Sequence, residues 1–429
     1  MIQTPGQIIC PKCNHKMPRY TGTRSQYFSC GQCCTYFSDI GHVIKIEGDF
    51  VKKMEARIPK GAIAEFDNIS YVVVGLLIGK EVASFYYWNE YLLYNPDHGY
   101  ITLSEYNGHW NLVQPITSPS KSGSSYSYEG VKYELFSKYS MFYAAADGEF
   151  GWNLIPKNDT KVHEYIAPPY SLLREEHEGS IEWYQAQYIT PKEVRDAFKK
   201  STKIDTAAPK GAYSNAPNTY KDLPEVALKY SIVAIGALIL VVLLQSFIVP
   251  SARVFSETMS IDTVSSKTLA AKTFVSQDFN LNSTTGYSSL RVVLEAPVDN
   301  SWVEAEVNLI NQKTDDEFNT ELGVEYYHGV DGGESWSEGE TSNDKILSMV
   351  PDGTYRLSIT PHTETVPNFN NAPMDYKTKS YTIHIDQNTT ITSNYVLVVL
   401  LIIAYPIYAY IKRNGKESSR WALSEYGNG

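Results

Sequence analysis

After residue 34 the chain contains no cysteine, because all five of its cysteines lie within the first 34 residues. A secreted domain that depends on disulfides has the opposite distribution, so the remainder is not expected to be a disulfide-stabilised fold. The N-terminal stretch MIQTPGQIIC also lacks a basic segment followed by an apolar one. We therefore expect no cleaved signal peptide.

Familiar catalytic motifs are missing as well. The sequence has no phosphate-binding glycine loop, no GxSxG nucleophile elbow and no HExxH helix motif. It therefore gives no sign of a P-loop nucleotide hydrolase, an α/β-hydrolase or a zinc protease of the HExxH type.

Charge is absent from two long apolar runs at residues 232–249 and 395–411. Runs of 18 and 17 residues, rising about 1.5 Å per residue, cross most of a hydrocarbon core of roughly 30 Å. Backbone groups in lipid must bond within their own segment, which favours helices. We predict transmembrane helices at residues 229–250 and 395–412, with buried core helices as the alternative.

The charge distribution predicts the orientation of these helices. Residues 253–394 hold 9 Lys and Arg against 21 Asp and Glu, a net charge of −12. The whole chain carries −11, so all other residues together carry +1. Lysines and arginines flank the far ends of both apolar runs, and such residues stay in the cytoplasm. We expect a two-pass protein of the inner (plasma) membrane with residues 251–394 extracytoplasmic and both termini cytoplasmic, including the tail at 413–429.

Two CxxC pairs near the N-terminus predict a structural zinc ribbon over residues 1–45. Four thiolates from two tight turns close a tetrahedral zinc site and leave no position for a substrate. Cys34 is an alternative to the last ligand, His15 is a weaker substitute, and a redox dithiol is the other interpretation. The ligands we predict are Cys10, Cys13, Cys30 and Cys33.

The ribbon sequence also contains candidate turn residues and a few basic residues. Gly31 is expected to help the second CxxC pair turn toward the metal, and Asn14 to do so after the first. The basic face of the ribbon is thin, which argues against nucleic acid and favours protein docking; it consists of Lys12, Lys16, Arg19 and Arg24.

Residues 46–200 are rich in Tyr, Val, Ile and Trp, with turn residues between short apolar runs. This pattern predicts successive β-hairpins that form a cytoplasmic β-rich domain. Thr190, Pro191 and Glu193 form a capping-box start, which predicts one short helix at the end of the domain. Residues 201–228, rich in Ala, Pro, Ser and Asn, are expected to be a linker to the membrane.

Residues 251–394 show strand candidates at regular spacing, and alternation over residues 302–311 indicates a sheet with one wet face. We predict an extracytoplasmic antiparallel β-sandwich. The acidic stretch at residues 331–340 is expected to be a solvated hairpin loop, since its spacing fits no EF-hand; a Ca²⁺ site is the alternative. The fold class as a whole is therefore mainly β with two transmembrane helices.

The cytoplasmic domain resembles the Domain of Unknown Function 4178 family over about residues 58–198. The resemblance is carried by six phrases, YVVVG at 71–75, WNEYLL at 88–93, GHW at 108–110, GEFGW at 148–152, EYIAPP at 164–169 and EWYQAQY at 182–188. Gly151 stands where proline is usual, and Trp183 is followed by Tyr rather than Ser. Bacterial members often carry an N-terminal zinc ribbon and C-terminal membrane spans.

The resemblance also implies partners, since family genes tend to neighbour those of three other proteins. These are a membrane-remodelling protein, a small multi-span membrane protein and a spermidine-synthase-like enzyme. The family brings no catalytic residues to this chain. Candidates for general acid-base chemistry remain, each also explicable as a structural residue: Glu90, Glu149, Glu164, His109 and His163.

We therefore expect a non-enzymatic scaffold or sensor in a membrane-stress or polyamine-related complex of the bacterial envelope. One alternative is an enzyme with its site in the cytoplasmic β domain. The other is a membrane-tethered zinc ribbon that binds nucleic acid.

Overall fold

The structure is a computed structural model that describes residues 6–51, 57–155, 159–261, 263–265, 268–366, 375–376, 378 and 380–427. The chain is mainly β and divides into two compact units. The first unit comprises Met1–Val226 together with Pro406–Gly429, and the second comprises Ala227–Tyr405. Each unit is described separately below.

The first unit contains sixteen strands and one short helix among its described residues. They are β1 Gly6–Ile9, β2 Lys16–Arg19, β3 Tyr27–Ser29, β4 Thr35–Ile40, β5 Val43–Asp49, β6 Ile63–Phe66, β7 Ile69–Glu81, β8 Tyr87–Asn95, β9 Gly99–Tyr106, β10 His109–Ile116, β11 Ser120–Ser122, β12 Ser125–Tyr128, β13 Val131–Phe150, β14 Thr160–Ala167, β15 Tyr170–His177, β16 Ser180–Ile189 and α1 Pro191–Phe198.

Eight of these strands close into an antiparallel barrel. Their order is β13-β14-β15-β16-β10-β9-β8-β7, and the pairing of β7 back onto β13 completes the ring. Hairpins were predicted here, but ring closure was not. Closure depends on β13, a single strand of 20 residues. Irregularities between Leu135 and Ser137 and between Tyr143 and Ala145 re-aim this strand, so that it pairs first with β14 and then with β7.

The outer face of the barrel is covered in part by α1. Tyr91, Leu93 and Trp110 are buried there in one hydrophobic cluster with Val194 and Phe198 of the helix. The predicted capping box is present at Thr190 and Glu193, which confirms the predicted helix start. Side chains alternate along a strand. The residues on the other face of β8, Trp88, Glu90 and Leu92, therefore face the barrel interior.

The ribbon strands continue the sheet of the barrel. β3 pairs with the last residues of β13, from Gly148↔Ser29 to Phe150↔Tyr27, and β4 and β5 follow beyond it. β1 and β2 form a separate two-stranded hairpin. The N-terminal segment therefore belongs to the same compact unit as the barrel.

The second unit contains fourteen strands among its described residues. They are β17 Ala252–Ser260, β18 Thr263–Ser265, β19 Thr268–Ala271, β20 Phe274–Val275, β21 Phe279–Leu281, β22 Tyr287–Glu295, β23 Ser301–Asn311, β24 Glu317–Asp331, β25 Glu334–Glu340, β26 Ser342–Pro351, β27 Gly353–Thr363, β28 Thr365–Val366, β29 Asp375–Tyr376 and β30 Ser380–Gln387.

Two antiparallel sheets of the second unit contribute to one hydrophobic core. The four-stranded sheet has the order β17-β30-β22-β26, and the six-stranded sheet is built around β27-β23-β24. Val303, Ala305, Val307 and Leu309 alternate inward along β23, as the sequence predicted. The acidic stretch, expected to be a loop, is mostly the strand β25, which follows the turn at residues 332–333 and pairs with β24; every residue of β25 is exposed. Among the described residues, its carboxylates do not converge on a common point with other metal-binding groups.

Two long helices are apolar enough to span a membrane: α2, Leu223–Ile248, and α3, Thr392–Trp421. Only 6% of the apolar window of each is buried, which is not the pattern of a core helix. The two helices contact one another, since Ser231 Oγ donates to the carbonyl of Ile402 at 3.1 Å and Tyr395 Oη donates to Gln245 Oε1 at 2.6 Å. α3 continues nine residues past the predicted end at 412, so most of the predicted tail is helical.

Candidate metal centre

Two similar turns carry the cysteine pairs. Cys10–Cys13 follows β1, and the amide of Asn14 donates to the carbonyl of Cys10 at 3.0 Å. Cys30–Cys33 follows β3, and the amide of Cys34 donates to the carbonyl of Cys30 at 2.8 Å. Asn14 and Cys34 have φ of 61° and 63°, a left-handed conformation that turns the chain back after each pair. The predicted role of Asn14 is confirmed, and Cys34 has the same role in the second turn.

The four predicted ligands converge. The Sγ atoms of Cys10 and Cys33 are 3.6 Å apart, as are those of Cys13 and Cys30, and all four lie within 4.8 Å of one another. A tetrahedral site with Zn–S bonds of about 2.3 Å has S···S edges of about 3.8 Å. The group could therefore hold a metal ion of the size of Zn²⁺ that prefers thiolate ligands. Cys34 is outside the group, because its left-handed backbone belongs to the turn.

The protein environment shifts the pKa values of the thiols in different directions. Burial raises the pKa of Cys30 to about 12 and also raises that of Cys10. At Cys33 burial is outweighed by hydrogen bonds with the side chain and backbone of Thr35 and with the neighbouring thiols, and its pKa is lowered to about 6. Thr35 in turn donates to Asp49 at 2.8 Å, and Asp49 pairs with Lys12 at 2.7 Å. Cys33 is thus the thiol that this arrangement favours as a thiolate.

Gly31 has a packing role that the sequence did not reveal. It was expected to help the second turn, but it is not among the described glycines with positive φ. A Cβ at this position would lie 2.5 Å from Oδ2 of Asp147 on β13. Asp147 is itself paired with Lys60. The glycine therefore permits close packing of the ribbon on the barrel, and the turn explanation is wrong.

Glu149, a candidate catalytic residue, joins the ribbon to the barrel. It is only 2% exposed. Its carboxylate accepts the amide of Tyr20 at 2.5 Å and the hydroxyl of Thr21 at 2.8 Å. Burial raises its pKa, and these hydrogen bonds lower it in part. The residue receives donors from the segment that follows β2, which is a structural role.

The other candidates lie in different places. Glu90 faces the barrel interior and accepts Trp88 Nε1 at 2.6 Å. Glu164 also faces the interior, and burial raises its pKa. His163, next to it on β14, points to the opposite face, and burial together with Arg174 and Lys138 lowers its pKa. His109 lies at the end of the barrel where β9 turns into β10.

Sequence reasoning missed the residues that close this end of the barrel. Ser214 and Asn215 come from the predicted linker, and Arg420 comes from the end of α3; all three are buried. The guanidinium of Arg420 donates to the carbonyls of Ser214 at 2.8 Å and Ala216 at 2.7 Å. A sequence signal was available in Tyr213, one of two tyrosines in a segment otherwise rich in small and polar residues.

Residues 59–191 match the family described as Domain of unknown function (DUF4178). The chain thus carries a domain of this family, as its sequence phrases indicated, and the matched segment includes all eight barrel strands. No curated protein matches the chain.

Solved structures give only distant likenesses. A structure of infectious bursal disease virus, Gt strain, has a TM-score of 0.17 at 9% identity and covers 90% of this chain and 70% of its own. A carbohydrate-binding module of the β-sandwich superfamily has a TM-score of 0.12 at 10% identity, covering 64% of this chain and 95% of its own. Neither score establishes a shared fold.

Proposed function

We propose that this protein is a non-enzymatic scaffold or sensor anchored in a bacterial inner membrane by α2 and α3. Its ribbon and barrel would lie in the cytoplasm, and its acidic second unit would form an extracytoplasmic β-sandwich. The observation that carries the proposal is the buried Arg420. This residue lies in the last turn of α3, beyond the apolar run, and holds the carbonyls of Ser214 and Ala216, which precede α2.

The contact of Arg420 supports placing both chain termini on the same side of the membrane. Asn218 Nδ2 donates to the carbonyl of Arg413 at 3.1 Å and to Glu417 at 2.7 Å, so the approach to α2 lies beside the last turns of α3. Basic residues at these positions favour the cytoplasmic side. A barrel that is attached to the ends of both helices is suited to transmitting a signal or to localising a complex, because a displacement of either helix reaches it directly.

Zinc has a structural role in this proposal. Four cysteines complete the coordination shell of Zn²⁺ and leave no site for a substrate. The ribbon's own cluster around Phe28 and Phe37 is small, and a metal would supply the stability that this cluster lacks. Bound at Cys10, Cys13, Cys30 and Cys33, zinc would keep the ribbon folded against β13.

The nucleic-acid alternative loses support from the ion pairs of the ribbon. Arg19 pairs with Asp39 at 3.1 Å and lies over the ring of Phe28, while Lys12 pairs with Asp49. Two of the four basic side chains that could contact phosphates are thus already neutralised. Protein docking remains the better use of the ribbon.

Purification from the native membrane in mild detergent, followed by mass spectrometry, tests the proposal. We expect stoichiometric recovery of protein partners. By family analogy these are a membrane-remodelling protein, a multi-span membrane protein and a spermidine-synthase-like enzyme. Recovery of the chain alone would contradict the scaffold role. An enzyme would instead lose activity when Glu90 or Glu164 is replaced, while its fold and its complexes persist.

A further inference from the structure

Residues of the predicted linker close one end of the barrel. The ring of Tyr213 stacks on His109 with centroids 4.8 Å apart and planes 12° apart. Its hydroxyl accepts Asn111 Nδ2 at 2.9 Å. His109 and Asn111 face the interior at the start of β10, so Tyr213 covers the β10 side of the opening.

The next two residues extend this cover across the opening. Ser214 Oγ donates to Glu164 Oε1 on β14 at 2.6 Å, and Asn215 Nδ2 donates to Asn111 Oδ1 on β10 at 2.7 Å. Three pairings separate β10 from β14 around the ring, through β16 and β15. The segment thus bridges the mouth of the barrel. We call residues 213–215 the plug.

The contacts of the plug are polar, apart from the ring of Tyr213. None of its three residues belongs to a hydrophobic cluster of the described chain, whereas the barrel wall is held by ladder hydrogen bonds and by clusters around Tyr91 and Tyr133. Gly211 with φ of 82° and Pro217 bound the segment. Withdrawal of the plug would therefore break hydrogen bonds and the ring contacts of Tyr213 with His109, Tyr106 and Tyr188, without removing any residue of the hydrophobic clusters.

The plug is connected to both apolar helices. Asn215 lies eight residues before Leu223, the first residue of α2. Arg420 is 2% exposed near the end of α3, holds the backbone on either side of Asn215 and is paired with Glu417 at 3.2 Å. Displacement of one helix end relative to the other would strain these two hydrogen bonds together with those from Asn218 to Arg413 and Glu417.

We propose that the plug is a releasable closure of the barrel, latched by Arg420. Loss of the latch withdraws Tyr213 from His109 and opens the interior to solutes. Opening exposes inward-facing groups that include Glu90, Glu164 and Tyr184. The device depends only on contacts within the first unit, so it stands or fails independently of any partner.

Thiol labelling of the full-length chain in detergent, with zinc present, tests the device. Ser214→Cys in a Cys34→Ser background reports the plug, and Ala145→Cys, at a fully buried position of β13, reports the barrel wall. We expect Arg420→Gln to raise the labelling rate at position 214 at least tenfold, with position 145 unchanged. Arg413→Gln removes the same charge from an exposed position of α3 and is expected to change neither rate.

Two results would overturn the proposal. One is an unchanged rate at position 214 in the Arg420→Gln protein. The other is an equal rise at positions 214 and 145, which would mean that Arg420 supports the whole fold. Where Arg420→Gln does not yield folded protein, Asn215→Ala releases the plug from the barrel side and must give the same selective rise at position 214.

Discussion

Replacing Glu149 with alanine is expected to loosen the ribbon without unfolding the barrel. The carboxylate is buried and accepts donors from Tyr20 and Thr21, which lie between β2 and β3. The substitution leaves the three-residue pairing of β3 with β13 intact. The ribbon should therefore remain attached but open far more often around residue 20.

The magnitude follows from the two strongest of these hydrogen bonds. A hydrogen bond to a charged group is worth about 1.5–3 kcal/mol, so losing two costs about 3–6 kcal/mol. The burial that raises the pKa of Glu149 shows that the charged form also carries a desolvation cost, which the substitution removes. A net loss of about 3 kcal/mol corresponds to a local opening that is roughly 10²-fold more frequent.

Amide hydrogen exchange measured by mass spectrometry resolves this effect in the full-length chain. Peptides covering residues 20–30 should exchange roughly 10²-fold faster, in line with about 3 kcal/mol of lost local stability. Peptides covering β7, Ile69–Glu81, should not change. Glu65→Ala is the matched control, because Glu65 pairs with the exposed Lys200 away from the ribbon, and such surface pairs contribute about 0–1 kcal/mol.

Two outcomes would refute the reasoning about Glu149. If exchange in residues 20–30 stayed within threefold of the parent, the carboxylate would not hold the ribbon. If β7 exchanged faster to the same extent, Glu149 would stabilise the barrel itself. Either result would reopen its assignment as a candidate catalytic residue.

Three further predictions concern the ribbon and the mouth of the barrel. Cys33→Ser should lower zinc content and make the ribbon protease-sensitive while Cys34→Ser retains one zinc per chain; equal zinc loss in both would contradict the assigned ligands. Burial lowers the pKa of His109 from its ordinary value near 6.5, so the unfolded chain binds more protons and stability falls as pH drops below about 6.5. Between pH 7 and 5.5 the parent should lose more stability than His109→Gln, and parallel profiles by chemical denaturation would exclude this contribution. Gly31→Ala should destabilise the ribbon by about 1–3 kcal/mol through its clash with Asp147, and unchanged exchange at residues 27–40 would rule that clash out.

Local chemistry made several elements predictable. The capping box of α1 depends on residues three apart, and the CxxC pairs depend on residues three apart within one turn. The two apolar helices were evident from length and composition. In each case the interacting groups are close in sequence, or the signal is a property of one continuous segment.

Closure of the barrel could not be predicted, because it depends on a pairing between β7 and β13 that are fifty residues apart. The register shift near Tyr143 that makes this pairing possible has no distinctive residue type. Gly31 was misread for a similar reason. Its neighbour Asp147 is more than one hundred residues away, so a local turn was the only explanation that the sequence offered.

The plug shows how composition can mislead about function as well as fold. Residues 201–228 have the small and polar composition of a linker, yet Ser214 and Asn215 are buried because Glu164 and Asn111 satisfy their polar groups. A sequence records the polar residue but not its distant partner, so a linker residue and a docking residue look alike.

The same ambiguity affects the candidate catalytic carboxylates. Glu149 and Glu164 have pKa values raised by burial, a property that active sites share. Their partners distinguish the two cases. Glu149 accepts donors from the ribbon, and Glu164 accepts Ser214 from the approach to α2. Each of these carboxylates thus holds another part of the chain against the barrel. These contacts give both carboxylates a structural role, which favours the scaffold proposal over the enzyme.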